Sequence, residues 1–196
     1  MVIVGLTGGI GSGKTLICKI FETFGVHVFY ADHEARKVME GDPAVRKAIT
    51  SQFGKDIYMS GNLDRKKLAS VVFHDKNALN RLNSIVHPAV RKKFEQWIKV
   101  NKGDRYIIEE AAVLLESGGA GRFSLIVTVS VPESLRILRV QERNGISEED
   151  IRLRMKNQLS EEERNSRADV VIVNDGTELV IPQVWRLHHL LMERET

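Results

Sequence analysis

The sequence predicts an α/β fold: a parallel five-stranded sheet flanked by helices, carrying a helical insertion and a second, polar helical segment. Three observations predict it. Five short β-branched runs recur along the chain: "VIVGLT" (2–7), "VHVFY" (26–30), "RYIIEE" (105–110), "LIVTVSV" (125–131) and "VVIVN" (170–174). Segments of helical length separate them, so the order is strand, helix, strand, repeated. The first, fourth and fifth runs are almost wholly apolar, as strands covered on both faces of a parallel sheet must be. A chain of 196 residues suffices for one such core with inserted subdomains.

Taken in order, residues 2–7 form the first strand and break into "GLTGGIGSGKT" (5–15), a loop too rich in glycine for a strand or a helix interior. A helix follows, then the second strand at 26–30. The spacing to the third strand is long, about 75 residues without a convincing buried strand. Helical periodicity appears near 33–40, 44–53, 64–73 and 78–100, interrupted by "GDP" and "SGNLD". This reads as a helical insertion carried on the sheet. The third and fourth strands lie at 105–110 and 125–131. The stretch 143–168 is charged and poor in apolar residues, with Gly145 and Ser147 as turn and helix start, so it is expected to pack loosely and to move. After the fifth strand, a helix over 177–194 closes the core with Leu179, Val180, Val184, Leu187, Leu190 and Leu191.

Composition excludes several classes. Hydrophobic residues make up 42% and charged residues 28%, the balance of a soluble globular protein. No apolar run reaches the roughly 18 residues of a membrane span, and the N-terminus lacks the pattern of a signal peptide. The lone Cys18 forbids an internal disulfide and, with no cluster of zinc-ligand spacing, points to a reducing cytoplasm. A net charge of +3, with scattered basic residues and few aromatics, argues against nucleic acid as partner. The "RKK" triplets at 65–67 and 91–93 read as solvated helix faces or as attraction for a small polyanion.

The glycine loop carries the chemistry. Gly8 to Thr15 fits G-x-x-x-x-G-K-[ST] between a strand and a helix, the context in which that pattern binds phosphate. Gly8, Gly9, Ile10, Gly11, Ser12 and Gly13 turn backbone N–H groups inward, and Lys14, Thr15 and Leu16 open the helix whose dipole faces an anion. Lys14 can reach the β and γ phosphates, and Thr15 can place its hydroxyl on Mg²⁺. A nucleoside triphosphate is the implied ligand. "NKGD" (101–104) imitates a guanine-reading signature, but it ends a helical run and no D-x-x-G precedes it, so it reads as a helix terminus. "YIIEE" offers Glu109 and Glu110, either near Mg²⁺ through water or salt-bridged.

A small kinase for a small molecule remains. It requires a carboxylate near the acceptor hydroxyl and cations around the transferring group. Asp32, in "VFYADHEAR", lies past the end of the second strand, where open parallel sheets bind ligands; it also suits the N-cap of a helix starting at His33. Arg136, Arg139 and Arg143 share a helical face leading into the polar stretch and suit phosphate clamping, or surface pairing with Glu142, Glu148 or Glu149. Arg152 has Glu148, and Arg154 has Asp150, four residues back for salt bridging. His87 before Pro88 reads as a pre-helix position, with the proline in the first turn. His188 and His189 read as structural.

"GLTGGIGSGK", "ADHEAR", "LNSIVHPAV", "VLLESG", "RVQERNGIS" and "RADVVIVNDG" follow one another in the order and spacing of dephospho-CoA kinases, and the chain resembles that family from residue 3 to about 190. The resemblance implies transfer of the ATP γ-phosphate to the ribose 3′-hydroxyl of dephospho-CoA, the last step of coenzyme A synthesis. It implies a P-loop kinase core of residues 1–30, 104–142 and 167–196, a CoA-binding insertion at 31–103 and a lid at 143–166. By position it makes Asp32 the base, Lys14 and Thr15 the phosphate and Mg²⁺ ligands, and Arg139 and Arg143 the lid arginines. Asn174 and Gly176 fall in its adenine-side loop, and Arg154 and Gln158 match a lid-helix pair. The chain departs from the family's usual D-A-D with Tyr30-Ala31-Asp32, and from its P-L-L-x-E with Ala112-Val113-Leu114-Leu115-Glu116. Glu110 stands where Asp is common. ATP and Mg²⁺ are therefore the expected cofactor pair, dephospho-CoA the acceptor, and a cytoplasmic monomer the default. Two alternatives stay open: a P-loop kinase for another nucleoside or nucleotide, and a non-catalytic ATP-binding module.

Overall fold

The computed structural model describes residues 1–116 and 119–194. Ser117 and Gly118 of "VLLESG", and the last two residues of the 167–196 core segment, lie outside the described residues. The chain forms two compact units, Met1–Tyr30 with Asn101–Thr196, and Ala31–Val100.

The first unit is built on five parallel strands in the order β2-β5-β1-β6-β7. They are β1 (Val2–Gly8), β2 (Val28–Tyr30), β5 (Tyr106–Glu110), β6 (Leu125–Ser130) and β7 (Val170–Val173). β1 is central: the chain builds β2 and β5 on one side of it, then crosses over to build β6 and β7 on the other. Such a switch point opens a crevice at the carboxyl end of the central strand, where the glycine loop begins. Strand parity divides the sheet. Val4, Leu6, Ile108, Val127, Val129 and Ile172 face one side and pack with Ile17, Cys18 and Phe21 of α1 (Lys14–Thr23) and Val184, Leu187 and Leu191 of α9 (Val180–Glu193). On the same face the Tyr106 hydroxyl meets His188 Nδ1 at 2.7 Å, which gives His188 the structural role expected of it. β5 is buried along its whole length, β6 in all but its last residue. β7 is not: it forms one of the sheet's two edges, β2 being the other, and Val171 is exposed there. Gln183 of α9 covers part of that edge, accepting from the Val173 N–H and donating to the Val173 carbonyl, both at 2.9 Å.

α6 (Glu133–Asn144) ends on Gly145, whose φ of 62° supplies the left-handed residue that terminates a helix. The Ser147 side chain accepts from the Asp150 N–H and starts α7 (Glu148–Met155); Ser160 and Glu163 make a reciprocal capping box for α8 (Glu161–Ser166). This polar stretch is better anchored than its composition suggests. Ile151 is fully buried with Ile137 and Val140, and Arg164 is buried as well. "NKGD" is a turn after the helix, as expected, and Asp104 pairs with His27 at 2.7 Å.

The second unit contains α2 (Ala31–Gly41), α3 (Pro43–Phe53), α4 (Arg65–His74) and α5 (Lys76–Val100), with α2, α3 and α4 packed on α5. Ala78, Leu82, Val86, Val90 and Phe94 recur every four residues as the buried stripe of α5. Asp42 and Asp64 cap α3 and α4 through their side chains. "SGNLD" is part of a small hairpin, β3 (Tyr58–Met59) and β4 (Asn62–Leu63), turned by Ser60 and Gly61 at φ 49° and 84°. Pro88 corrects the sequence reading: it lies inside α5, not in a first turn. The break is tolerated because Pro88 is exposed, so the Ser84 carbonyl that loses its donor can meet water.

Candidate active site

The glycine loop joins the end of β1 to α1 and is shaped by positive φ at Gly11 (80°) and Gly13 (89°). Only glycine adopts these angles without strain. The loop is also closely backed. A Cβ on Gly9 would collide with the Arg136 guanidinium, one on Gly11 would sit 2.5 Å from the Arg136 carbonyl, and one on Gly13 would collide with Asn174. Gly13 caps α1 in the left-handed conformation with no side-chain cap, leaving the helix dipole turned toward the loop. Ser12 is buried and its Oγ has no partner among the described residues, an orphaned hydroxyl inside the loop. Lys14 Nζ donates to the Gly8 carbonyl at 2.9 Å and lies 3.9 Å from Glu110. Not every loop N–H turns inward as expected, since the Ile10 and Ser12 N–H groups are taken by Gln158 Oε1 and the Gly9 carbonyl, but a lysine, an unsatisfied hydroxyl and an uncapped helix start suit a polyphosphate.

Three side chains fasten this loop. Asn174 donates from Nδ2 to the Ser12 carbonyl at 2.8 Å, with its own N–H on the Ser130 carbonyl. Gln158 accepts from the Ile10 N–H at 2.9 Å. Arg136 is 5% exposed, donates from Nε to the Val131 carbonyl and lies 3.9 Å from Glu161. The shared face expected for Arg136, Arg139 and Arg143 is thus divided. Arg136 backs the loop from within, Arg139 is half-buried, and Arg143 is exposed with its Nε on Asn144 at 2.7 Å. Next to Asn174, the Thr177 hydroxyl and N–H hold the Asp175 carboxyl below its usual range, and the Arg139 charge adds to this. Gly176 completes that turn at φ 92°. Arg152 pairs with Glu148 at 2.8 Å, as its spacing suggested, and also with Glu133 at 2.5 Å.

Strand parity separates the two carboxylates of "YIIEE". Glu110 turns toward Lys14, whereas Glu109 points to the opposite face and accepts from Arg122 at 2.6 Å. Glu109 is 2% exposed, and burial pushes its pKa up to about 7 even though Arg122 pulls it down. Burial also raises the Cys18 thiol, so this cysteine is a core residue. Tyr30, standing in for an acid, donates its hydroxyl to Glu22 of α1 at 3.0 Å. Asp32 belongs to the second unit. It is exposed in the first turn of α2, which begins at Ala31, so it is not the N-cap anticipated for a helix starting at His33. Thr15 and Leu16 sit in the first turn of α1, with the Leu16 N–H on the Gly13 carbonyl. Sequence reasoning missed the roles of Arg136 and Gln158 behind the loop, because nothing local in the chain signals a contact across 127 or 148 residues.

Among the described residues no group of three His, Cys, Asp or Glu side chains could hold a metal ion, and no helix is long and apolar enough to cross a membrane. The model of the family described as CoaE, dephospho-CoA kinase, matches residues 2–179. A dephospho-CoA kinase of Bacteroides fragilis is 37% identical over 191 residues, covering 97% of this chain and 93% of its own. One from Salinibacter ruber is 43% identical over 180 residues, 90% of either chain. The crystal structure of TT1252 from Thermus thermophilus superimposes with a TM-score of 0.84 at 30% identity, covering 99% of this chain and 98% of that one. With the phosphate loop intact and the match spanning nearly the whole length, the chain belongs to the dephospho-CoA kinase family.

Proposed function

We propose that this chain transfers the γ-phosphate of ATP to the ribose 3′-hydroxyl of dephospho-CoA, releasing ADP and CoA. The observation that carries the proposal is the phosphate loop, a backed cradle with Lys14 against it and the orphaned Ser12 hydroxyl inside. The backbone from Gly8 to Thr15, apart from the Ile10 N–H that Gln158 takes, holds the triphosphate, with Leu16 continuing the helix, and Asn174 and Gly176 form the base-side turn. Thr15 would hold Mg²⁺ through its hydroxyl, and Glu110, 3.9 Å from Lys14, would act on the ion through water. When bound, Mg²⁺ neutralises charge on the β and γ phosphates. Asp32 accepts the proton of the 3′-hydroxyl as its oxygen bonds to phosphorus and the bond to the β-phosphate oxygen breaks. Lys14, Arg139 and Arg143 balance the charge that moves to the leaving oxygen.

The insertion at 31–103 receives the acceptor in this reading. In its support, the second unit carries a cleft of about 520 Å³ between α3 and α5, lined by Val45, Ala48, Ile85 and Pro88 together with Lys92, Lys93 and Asp42. Apolar groups beside two lysines suit an acceptor that combines a long uncharged arm with a pyrophosphate. The segment 143–166 acts as the lid, and the core is 1–30, 104–142 and 167–196. The enzyme works as a cytoplasmic monomer on small molecules, without nucleic acid or membrane. The test is ADP release from Mg²⁺-ATP with dephospho-CoA, AMP or adenosine as acceptor. Only dephospho-CoA should drive turnover, with CoA equal to ADP. Equal rates with AMP or adenosine would assign a different nucleoside kinase, and ATP binding without transfer to any acceptor would leave a binding module.

A further inference from the structure

We infer that Gln158 is a positioning residue for phosphoryl transfer: its side-chain amide holds the phosphate loop in register by pinning the backbone of Ile10. The inference rests on the proposed kinase reading and specifies how the loop keeps its shape.

Ile10 is attached at both its backbone and its side chain. Its N–H donates to Gln158 Oε1 at 2.9 Å, so this amide points sideways and is unavailable to a phosphate. Its side chain packs against the small apolar cluster of Ile137, Val140 and Ile151 that joins α6 to α7. Gln158 is itself fixed from the other end, where Nε2 donates to the Ala112 carbonyl at 3.1 Å. The next residue repeats the attachment: the Leu159 N–H donates to Glu116 Oε1 at 2.8 Å, and Arg164 donates to the Leu159 carbonyl at 2.6 Å. The linker between α7 and α8 is therefore held to the segment after β5, and from that fixed point a single amide reaches Ile10.

The chemistry of the side chain is specific. A primary amide offers an acceptor and a donor on one planar group, and both backbone partners here need opposite ends of it. Glutamate has the same length but only acceptors, so it keeps the Ile10 bond and faces the Ala112 carbonyl with a lone pair. Leucine keeps the volume and loses both bonds. Without the pin, Ile10 can drift between its neighbours, Gly8 and Gly9, whose carbonyls Lys14 holds, and Ser12, whose carbonyl Asn174 holds. A misplacement near 1 Å is enough to reduce a rate by on the order of 10²-fold.

The test compares wild type with Gln158→Leu and Gln158→Glu. ATP affinity is read by titration without acceptor, dephospho-CoA affinity separately, and then kcat and melting temperature. Gln158→Leu should weaken ATP binding by about tenfold and lower kcat by on the order of 10²-fold, with dephospho-CoA affinity within twofold of wild type. Gln158→Glu should fall between the two. Ile10→Ala combined with Gln158→Leu should cost less than the product of the single effects, because both act on one backbone position. ATP affinity and kcat within about threefold of wild type in Gln158→Leu would overturn the inference. So would a lowered melting temperature with unchanged ATP affinity, since that marks a merely structural bond. If Gln158→Leu does not fold, the same readings on Gln158→Glu decide. Because the ATP titration needs no acceptor, it stands even if wild type fails to phosphorylate dephospho-CoA.

Discussion

Glu109 makes stability depend on pH with an unusual sign. It lies on β5 between β1 and β2, opposite Gly5 and Phe29, and only its Oε1 is satisfied among the described residues, by Arg122. Its pKa rises from the ordinary 4.5 to about 7 because burial disfavours the charge more than Arg122 favours it. In the unfolded chain the carboxyl releases its proton near the ordinary value. Between the two values the folded state holds more protons, so stability falls as pH rises. The contribution is complete below about 4.5 and gone above about 7. At ~1.4 kcal/mol per pH unit it amounts to about 3 kcal/mol. Glu109→Gln keeps the shape and an acceptor for Arg122 but cannot ionise. Thermal melting of both proteins at pH 5 and pH 8.5 checks this. Because other titrating groups cancel in the comparison, the variant should gain on wild type by about 3 kcal/mol between the two conditions. For a chain of this size that is a relative shift of roughly 6–12 °C. A difference between the two proteins that is the same at both pH values would refute the reasoning, for Glu109 would then titrate as though exposed.

Three further outcomes are expected. Gly11→Ala and Gly25→Ala meet the same φ of 80°, but a Cβ at Gly11 meets the Arg136 carbonyl whereas one at Gly25 meets open space. Both should lose ~1–2 kcal/mol to backbone strain, and only Gly11→Ala should weaken ATP binding, by at least about tenfold in a titration. Lys14→Ala should abolish transfer; near-normal turnover in an ADP-release assay would show that the loop is not the phosphate site. Asp32→Asn should bind ATP normally and lose on the order of 10²-fold in kcat, and a loss of only a few-fold would leave Asp32 as a residue of the first turn of α2.

The phosphate loop was legible because its demands are local: glycines at fixed offsets, a lysine, a strand before and a helix after. The sheet was legible for a related reason, since strands covered on both faces read as nearly continuous apolar runs even where Glu109 and Glu110 are buried in β5. What escaped was set by partners distant in sequence. Periodicity grouped Arg136 with Arg139 and Arg143, but which part of that face is buried depends on Gly9 and Glu161, brought there by the fold. Gln158 carries no local signal at all; its meaning comes from Ile10 and Ala112. Pro88 reads as a helix start by every local rule, and only the packing of α5 on its neighbours carries the helix through it. The β3–β4 strands are two residues each, too short for alternation to show.

The clasp of Gln183 on Val173 has a consequence for how this molecule behaves among its own copies. A primary amide offers the same donor and acceptor as a peptide unit, so Gln183 occupies the last rung of the edge as a sixth strand would. An incoming strand could reach Val171 but would have to expel the amide to extend past it. The β7 edge is thereby shortened to less than a stable pairing length, and an apolar, uncharged border strand can be kept there without acting as a template for aggregation.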